Sequence, residues 1–509
     1  MKSELIAEAL AALAEAHPEV VAQHREVPKD SAWSLAPPTD KIELHQKLVE
    51  DLSSTAAALV ACEATTTNWD DERRWDRLAG ALTDVVVEWP KLGFDVLDAV
   101  GSGHAAIDQA VVRGWAMSQP ISELVPQILD RIRALTLDPI LGLVTAMLGG
   151  YGFSGATPVE WFRFVESEAL AKECWNRIPL TAPDSWSANG YAMRAINHPA
   201  GNLTEFWIER IGHLWNGAPE TWKGIPPEIA DYLAELIADD YQRNEAVEIM
   251  LCRYLHFLYR ADPEWSKLYL IPLFNWENEP RATRAWSGFL SHGGWTAKLL
   301  EDGFLAMLVS TVDHRDQLDK PGQRNLPQLL AVIAVATDTD DPRSWIRDLI
   351  TKGTVEDRVA WAKAIRFQLD SLGTNAVEAQ WVRWIRDYMT DRVKSVPRIL
   401  DPAEASVMAN WVLFLGDSMS DAIDLLLQTE NEGLKLHDLF LHDLGQDQIN
   451  RAPDKIAQLV QHLLKSTTGQ FFGGHEVKRI YDQFTSAGVS VETLRQIVET
   501  ALGLGISLE

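Results

Sequence analysis

Apolar residues recur at the spacing of an α-helix along the whole of this chain, and that period constrains its fold more than any other feature. Leu5, Ile6, Ala9, Leu10 and Leu13 make one stripe, and Leu124, Val125, Ile128, Leu129, Ile132 and Leu135 a second. Val377, Trp381, Trp384, Ile385 and Tyr388 make a third, and Val491, Leu494, Ile497, Val498 and Leu502 a fourth. Side chains three and four positions apart share one face of a helix, whereas a half-buried strand needs strict alternation. Alternating segments closed by Asn-Gly or Asp-Gly hairpin turns are missing. The nearest approach, Val332 to Thr337, reads as the end of a helix carrying Leu329, Leu330 and Ile333. Asp341-Pro342, Thr157-Pro158 and Asp401-Pro402 each set a capping residue before proline at a helix start. The predicted class is all-α. Helix pairs of uneven length without a fixed repeat suggest an irregular helical array, an α-solenoid of HEAT-like type.

At 509 residues the chain exceeds what one core organises. Pro28, Pro37 and Pro38 mark residues 25–40 as an extended linker behind a leading helix. Between Pro179 and Pro280 lie nine of the 24 prolines, so short helices joined by ordered loops are expected there. The predicted organisation is a leading helix and linker over 1–40 and an N-terminal helical domain over 41–185. A Pro/Trp-rich central region over 186–300 and a C-terminal helical domain over 301–509 follow.

Charge narrows the partners. The chain carries 46 basic against 73 acidic residues, a net charge of −27. A field of that sign repels phosphate backbones and anionic lipid, which argues against non-specific nucleic-acid or membrane binding. The longest uncharged run, Pro139 to Val159, is interrupted by Gly149-Gly150 and has the length of a core helix. Lys2, Glu4 and Glu8 speak against a signal peptide, and Cys62, Cys174 and Cys252 without CxxC spacing fit buried thiols in a reducing cytoplasm. The 20 tryptophans are expected to fill helix junctions.

The motifs that could carry chemistry read mostly as structure. Gly150-Tyr151-Gly152-Phe153-Ser154-Gly155 matches the dinucleotide fingerprint, with Glu173 near the acidic position. That motif needs a strand before it, whereas Ile140, Leu143, Val144, Met147 and Leu148 fall on helical spacing. Gly101-Ser102-Gly103-His104 reads as an interhelical turn. His437-Asp438 and His442-Asp443 stand five apart, about 140° on a helix, so the two pairs face different directions. His475-Glu476 lacks a second His four residues on, and Asp338, Asp340 and Asp341 lack the Gly and Glu of a calcium loop. His213 and His256 read as core histidines with one hydrogen bond. No metal, cofactor or catalytic residue is expected, and the chain should neither bind NAD tightly nor hydrolyse it.

One stretch points further. In Asn197-His198-Pro199-Ala200-Gly201, proline fixes its own φ and holds His198 extended, while Gly201 permits a positive φ. Leu203, Phe206, Trp207, Ile208 and Ile211 follow on helical spacing, with Asn202 placed to cap them. A polar turn on an aromatic helix makes Asn197, His198 and Glu205 candidate partner-binding residues. Together with Asp262-Pro263-Glu264-Trp265, Leu273-Phe274-Asn275-Trp276 and Ala285-Trp286-Ser287-Gly288-Phe289-Leu290, this stretch resembles a helical region of bacterial anti-phage defence proteins. That region, itself a domain of unknown function, follows their sirtuin-like domain. The resemblance extends over about residues 45–450 and names no catalytic residue.

The resemblance implies a helical scaffold or sensor, cytoplasmic and non-enzymatic. Its partner would be a protein effector such as a sirtuin-like NAD hydrolase, and its trigger a phage protein. The NAD chemistry itself would belong to another polypeptide or to a portion not present here. An enzyme with a hydrolase or nuclease site in the central region is the competing reading.

Overall fold

The computed structural model describes residues 40–64, 69–118, 123–150, 160–180, 190–238, 241–337, 341–429, 438–467 and 474–508. The stripe Leu5 to Leu13, most of the predicted linker, Thr157-Pro158, Gly152, Gly155, Asp338, Asp340 and His437 lie outside them. Among the described residues the chain is all-α, with helices and no strand. Contacts divide it into two compact units, Met1–Arg177 and Ile178–Glu509.

In the first unit, α1 (Lys41–Glu50) starts at Asp40, whose carboxylate accepts from the amides of Ile42 and Glu43. α2 (Leu52–Ala64), α3 (Trp69–Glu88), α4 (Pro90–Val100) and α5 (Ala105–Met117) follow. α3 and α5 form the centre, burying Leu82, Val85 and Val86 against Val111 and Trp115. The predicted turn at Gly101–His104 joins α4 to α5, with φ of 79° at Gly101 and 96° at Gly103. Glu63 fixes its far side, accepting from the Ala106 amide at 2.8 Å while lying 2.7 Å from His104 Nδ1. The second predicted stripe buries Val125, Ile128, Leu129 and Ile132 on α6 (Val125–Arg133). α7 (Leu141–Leu148) occupies the place where a dinucleotide site would need a strand, which removes the context for Gly150. α8 (Glu166–Arg177) packs on α6 and α7 and buries Cys174.

In the second unit, α9 (Tyr191–Asn197) and α10 (Pro199–Gly217) both pack on α11 (Gln242–Arg253). α12 (Leu255–Ala261) follows, and α13 (Glu279–His292) lies on α11. That contact is close because Gly288 has no side chain: a Cβ there would stand 2.2 Å from the Ile249 carbonyl oxygen. From α13 the chain proceeds through layers. α14 (Lys320–Ala336) packs on α13, α15 (Arg343–Lys352) precedes α16 (Val355–Ser371), and α16 packs on α14. The run Val332 to Ala336 ends α14, as the helical reading of that segment required.

The third predicted stripe runs through α17 (Thr374–Gln380), a π-turn at Trp381–Ile385 and α18 (Arg386–Val393), and all five of its residues are buried. Asp401 caps α19 (Pro402–Met408), which packs on α16. α20 (Met419–Leu426), α21 (Pro453–Ser466) and α22 (Val491–Gly503) complete the succession. The fourth stripe is narrower than its sequence suggests. Ile497 and Ala501 are buried, whereas Val491 and Leu502 are 83% and 59% exposed. α22 meets α21 along one narrow face, so the flanking apolar positions gain no cover.

Candidate functional site

The turn singled out in the sequence is built differently from its expectation. α9 ends at Asn197, and His198 itself is the N-cap of α10, extended at φ −89° and ψ 139° as the following proline demands. Its Nδ1 accepts from the Ala200 amide at 3.1 Å. Asn202 therefore does not cap the helix; it lies buried in the second turn. Gly201 is helical rather than left-handed. Its missing side chain serves a close approach, since a Cβ there would stand 1.8 Å from the carbonyl oxygen of Ala195.

The three candidate residues have distinct settings. Asn197 is exposed and its side-chain amide donates to the Met193 carbonyl at 2.7 Å. Burial lowers the pKa of half-buried His198 and favours its neutral, accepting form. Glu205 accepts from the Tyr254 hydroxyl at 2.6 Å, and burial, followed by that hydrogen bond, pushes the phenol up to about 12. Behind Tyr254 lies a cluster that the sequence reading missed. The His292 ring is 5.8 Å from that of Tyr254, and His256 stacks on His292 at 5.0 Å. His256 is half-buried rather than a core residue, and its Nδ1 has no hydrogen-bond partner among the described residues. Burial lowers the pKa of both imidazoles, and the neighbouring His292 lowers that of His256 further.

Other carboxylates raised by the sequence are engaged structurally. Asp443 pairs with Arg366, and Glu476 with Arg479 at 2.8 Å; His442 and His475 are exposed. Cys62, Cys174 and Cys252 are buried free thiols, with Cys174 pushed up to about 12 by burial. Among the described residues no group of three or more His, Cys, Asp or Glu could hold a metal ion, and no helix is long and apolar enough to cross a membrane.

A cavity of about 370 Å³ lies between α15, α18 and the segment after α18. Its charged wall comes from Asp341, Arg343 and Arg347 on one side and Asp391 and Arg392 on the other. Asp341 accepts from the Arg343 amide at 3.0 Å just ahead of α15, although the N-cap position falls on Pro342, one residue later than the Asp-Pro motif predicted. It also holds the Arg343 guanidinium, whose remaining arm reaches Asp387 at 3.1 Å. The Arg343 hydrogen bond keeps the Asp341 carboxyl below its ordinary range. Arg347, one turn on, is exposed and forms no ion pair among the described residues.

The floor of the cavity is anchored by a buried triad. Arg392, 1% exposed, holds Glu404 through Nε at 2.8 Å and Nη2 at 3.0 Å, and donates to the carbonyls of Val396 and Arg398. Arg358 holds the same Glu404 at 3.1 Å. Burial opposes the Arg392 charge, yet the Glu404 pair outweighs it and leaves the guanidinium above its ordinary value. Tyr388 also lines the cavity at 3% exposure. Trp361 and Arg392 lie beside its hydroxyl, but neither meets it in hydrogen-bonding geometry. Burial, then the Glu404 charge, raises its pKa well above that of a free phenol. Ser395, in the segment after α18 and next to Val396, holds φ of 59°, a left-handed conformation uncommon outside glycine.

The sequence contained one signal for this site, the Arg343/Arg347 pair four residues apart behind a capped helix start. Tyr388 was legible only as part of an apolar stripe. The whole cavity lies inside the stretch 331–501 that matches a family described as a domain of unknown function, DUF4020. That match covers well under half of the chain. No curated protein and no solved structure matches it.

Proposed function

We propose that this chain is a non-enzymatic binding and regulatory module of bacterial anti-phage defence, acting in the cytoplasm on an effector that depletes NAD. The resemblance carried by residues 197–207, 262–276 and 285–290 supports the biological setting. One architectural observation carries the mechanism. α11 packs on α13, α13 on α14, α14 on α16 and α16 on α19, each layer resting on the next. A succession of this kind supports the finer reading of a HEAT-like solenoid, in which neighbouring layers carry most of the cohesion. Close-packed layers do not deform continuously, so a partner or ligand bound at one layer biases the arrangement of the next. The cavity between α15 and α18 supplies a ligand site in such an array. The turn with Asn197, His198 and Glu205 supplies a protein-facing one.

Co-expression with a sirtuin-like NAD hydrolase from the same genomic neighbourhood tests the proposal. The expected results are a complex that survives purification and a fall in cellular NAD on infection that requires both proteins. His198→Asn, which keeps a side-chain acceptor at the N-cap of α10, should weaken the complex without lowering the melting temperature. NAD hydrolysis by the isolated chain, or NAD loss on infection that proceeds without it, would overturn the reading.

A further inference from the structure

We infer that the outer face of α22 is a self-association surface, on which a second copy of this chain docks with its own α22 running antiparallel. The assignment rests on no part of the defence reading.

The placing of apolar residues makes the first argument. Val491, Leu494, Val498 and Leu502 lie three, four and four positions apart, so on a helix all four fall within an arc of about 80°. The face that α22 turns to α21 is a different one. Ile497 and Ala501 are buried there, and the Gln496 side chain accepts from Gln461 of α21 at 2.9 Å. Val491 and Leu502, 83% and 59% exposed, are the ends of the outer stripe, with half-buried Leu494 and Val498 between them. Single exposed apolar residues are ordinary on a protein surface, whereas an aligned row of four along one helix points to a partner.

The second argument is that the stripe complements itself. Identical patches meet across a two-fold axis. An axis level with Gln496 and Ile497 sets Val491 beside the partner's Leu502 and Leu494 beside the partner's Val498. Every layer then joins one valine to one leucine, so none is overfilled or left with a gap.

Charge makes the third argument and fixes the direction. Arg495 and Glu499 flank the stripe on one side, and within its own helix Arg495 is held by Glu492 at 2.8 Å and Glu499 at 3.2 Å. In the antiparallel pair the same flank of each copy meets, and Arg495 comes within about 1.5 Å, along the axis, of the partner's Glu499. Each arginine thus gains a carboxylate from the other copy. A parallel pair would instead set Arg495 level with the partner's Arg495. The net charge of −27 opposes the approach of two copies, but that repulsion is screened beyond about 8 Å at physiological salt.

Sedimentation equilibrium of the full chain tests this. A helix of 13 residues is about 20 Å long, so the interface is small and a dissociation constant in the micromolar range is expected. The mass should rise with concentration from 56.9 kDa toward twice that value. Val491→Lys/Leu502→Lys should raise the dissociation constant roughly tenfold or more, because two ammonium groups per copy would enter an apolar contact. Both positions are exposed, so the melting temperature of the monomer should hold. Val382→Lys, at a 79% exposed position outside α22, should leave association unchanged.

Cysteine pairing reads the direction, since the three native thiols are buried. An equal mixture of Val491→Cys and Leu502→Cys chains should form a disulfide-linked dimer under mild oxidation. Val491→Cys alone should not, because its two copies would stand about 16 Å apart. The inference falls if the chain stays monomeric at concentrations well above the micromolar range, or if the lysine variant associates as the parent does. It falls equally if Val491→Cys alone cross-links as readily as the mixture. None of these outcomes depends on the effector experiment.

Discussion

Gly201→Ala should destabilise the second unit even though alanine is the better helix former. In an ordinary helical position that exchange gains roughly 0.5–1 kcal/mol. Here the new Cβ would sit 1.8 Å from the Ala195 carbonyl oxygen, against a floor near 3.0 Å for real contacts. The backbone of α9 must therefore retreat by 1.2 Å or more. It has nowhere to go: Ala195 is fully buried, α9 is packed on α11 and α13, and the Tyr191 amide is tied to Asp319. Overpacking of this kind costs about 1–3 kcal/mol, so the net loss is expected at about 1–2 kcal/mol, a few degrees in melting temperature for a unit of this size. Gly212→Ala on the same helix is the control. Its nearest neighbour, Phe257, stands 3.6 Å from the would-be Cβ, so that variant should be neutral or stabilised by up to about 1 kcal/mol. Urea unfolding followed by tryptophan fluorescence reads both changes. A Gly201→Ala protein as stable as the parent would refute the close-approach reading of this turn.

Three further outcomes are expected. Trp207→Ala should cost about 3–5 kcal/mol in the same unfolding assay, because the indole is 1% exposed and packs against Phe206 and Tyr232. Glu404→Ala should cost about 3–5 kcal/mol by leaving Arg358 and Arg392 as buried cations without their shared carboxylate, whereas the exposed Asp424→Ala should change stability by under about 1 kcal/mol. Stability should also fall on acidification. His198, His256 and His292 all have lowered pKa values in the folded protein, so the unfolded chain takes up protons first as pH drops below the ordinary histidine value of 6.5. The histidine contribution is thus fully present above that value and lost below it. A His256→Gln/His292→Gln variant should show a shallower fall in melting temperature between about pH 7.5 and about pH 5.5, and an unchanged slope would remove these residues from the account.

The helical class was legible because burial and hydrogen bonding leave a periodic record. Ile128 and Ile132, or Trp384 and Tyr388, fall on one face because a helix must turn that face to a neighbour. Caps were legible for the same local reason: Asp401 holds the Ala403 amide its motif promised, while beside Asp341 the N-cap position falls one residue on, at Pro342. The error at Asn202 arose because His198 competes for the cap. Histidine is a poorer prior than asparagine, but proline after it fixes N1 one residue past His198, and the helix begins there. Gly201 was misread for a related reason: a glycine demanded by a positive φ and one demanded by a neighbouring carbonyl look identical until the neighbour is known.

The cavity shows what a linear reading omits. Arg358, Arg392 and Glu404 are distributed over 46 positions between the first and last, and no local spacing announces that they share one carboxylate. Nor does the stripe containing Tyr388 distinguish its ring, which belongs to the core, from its hydroxyl, which does not. Periodicity reports where carbon goes; it carries no information on whether a polar atom at the tip finds a partner. The layers hold this arrangement against its cost because Arg392, on the same helix as Tyr388, is locked to α19 and to the loop carbonyls after α18.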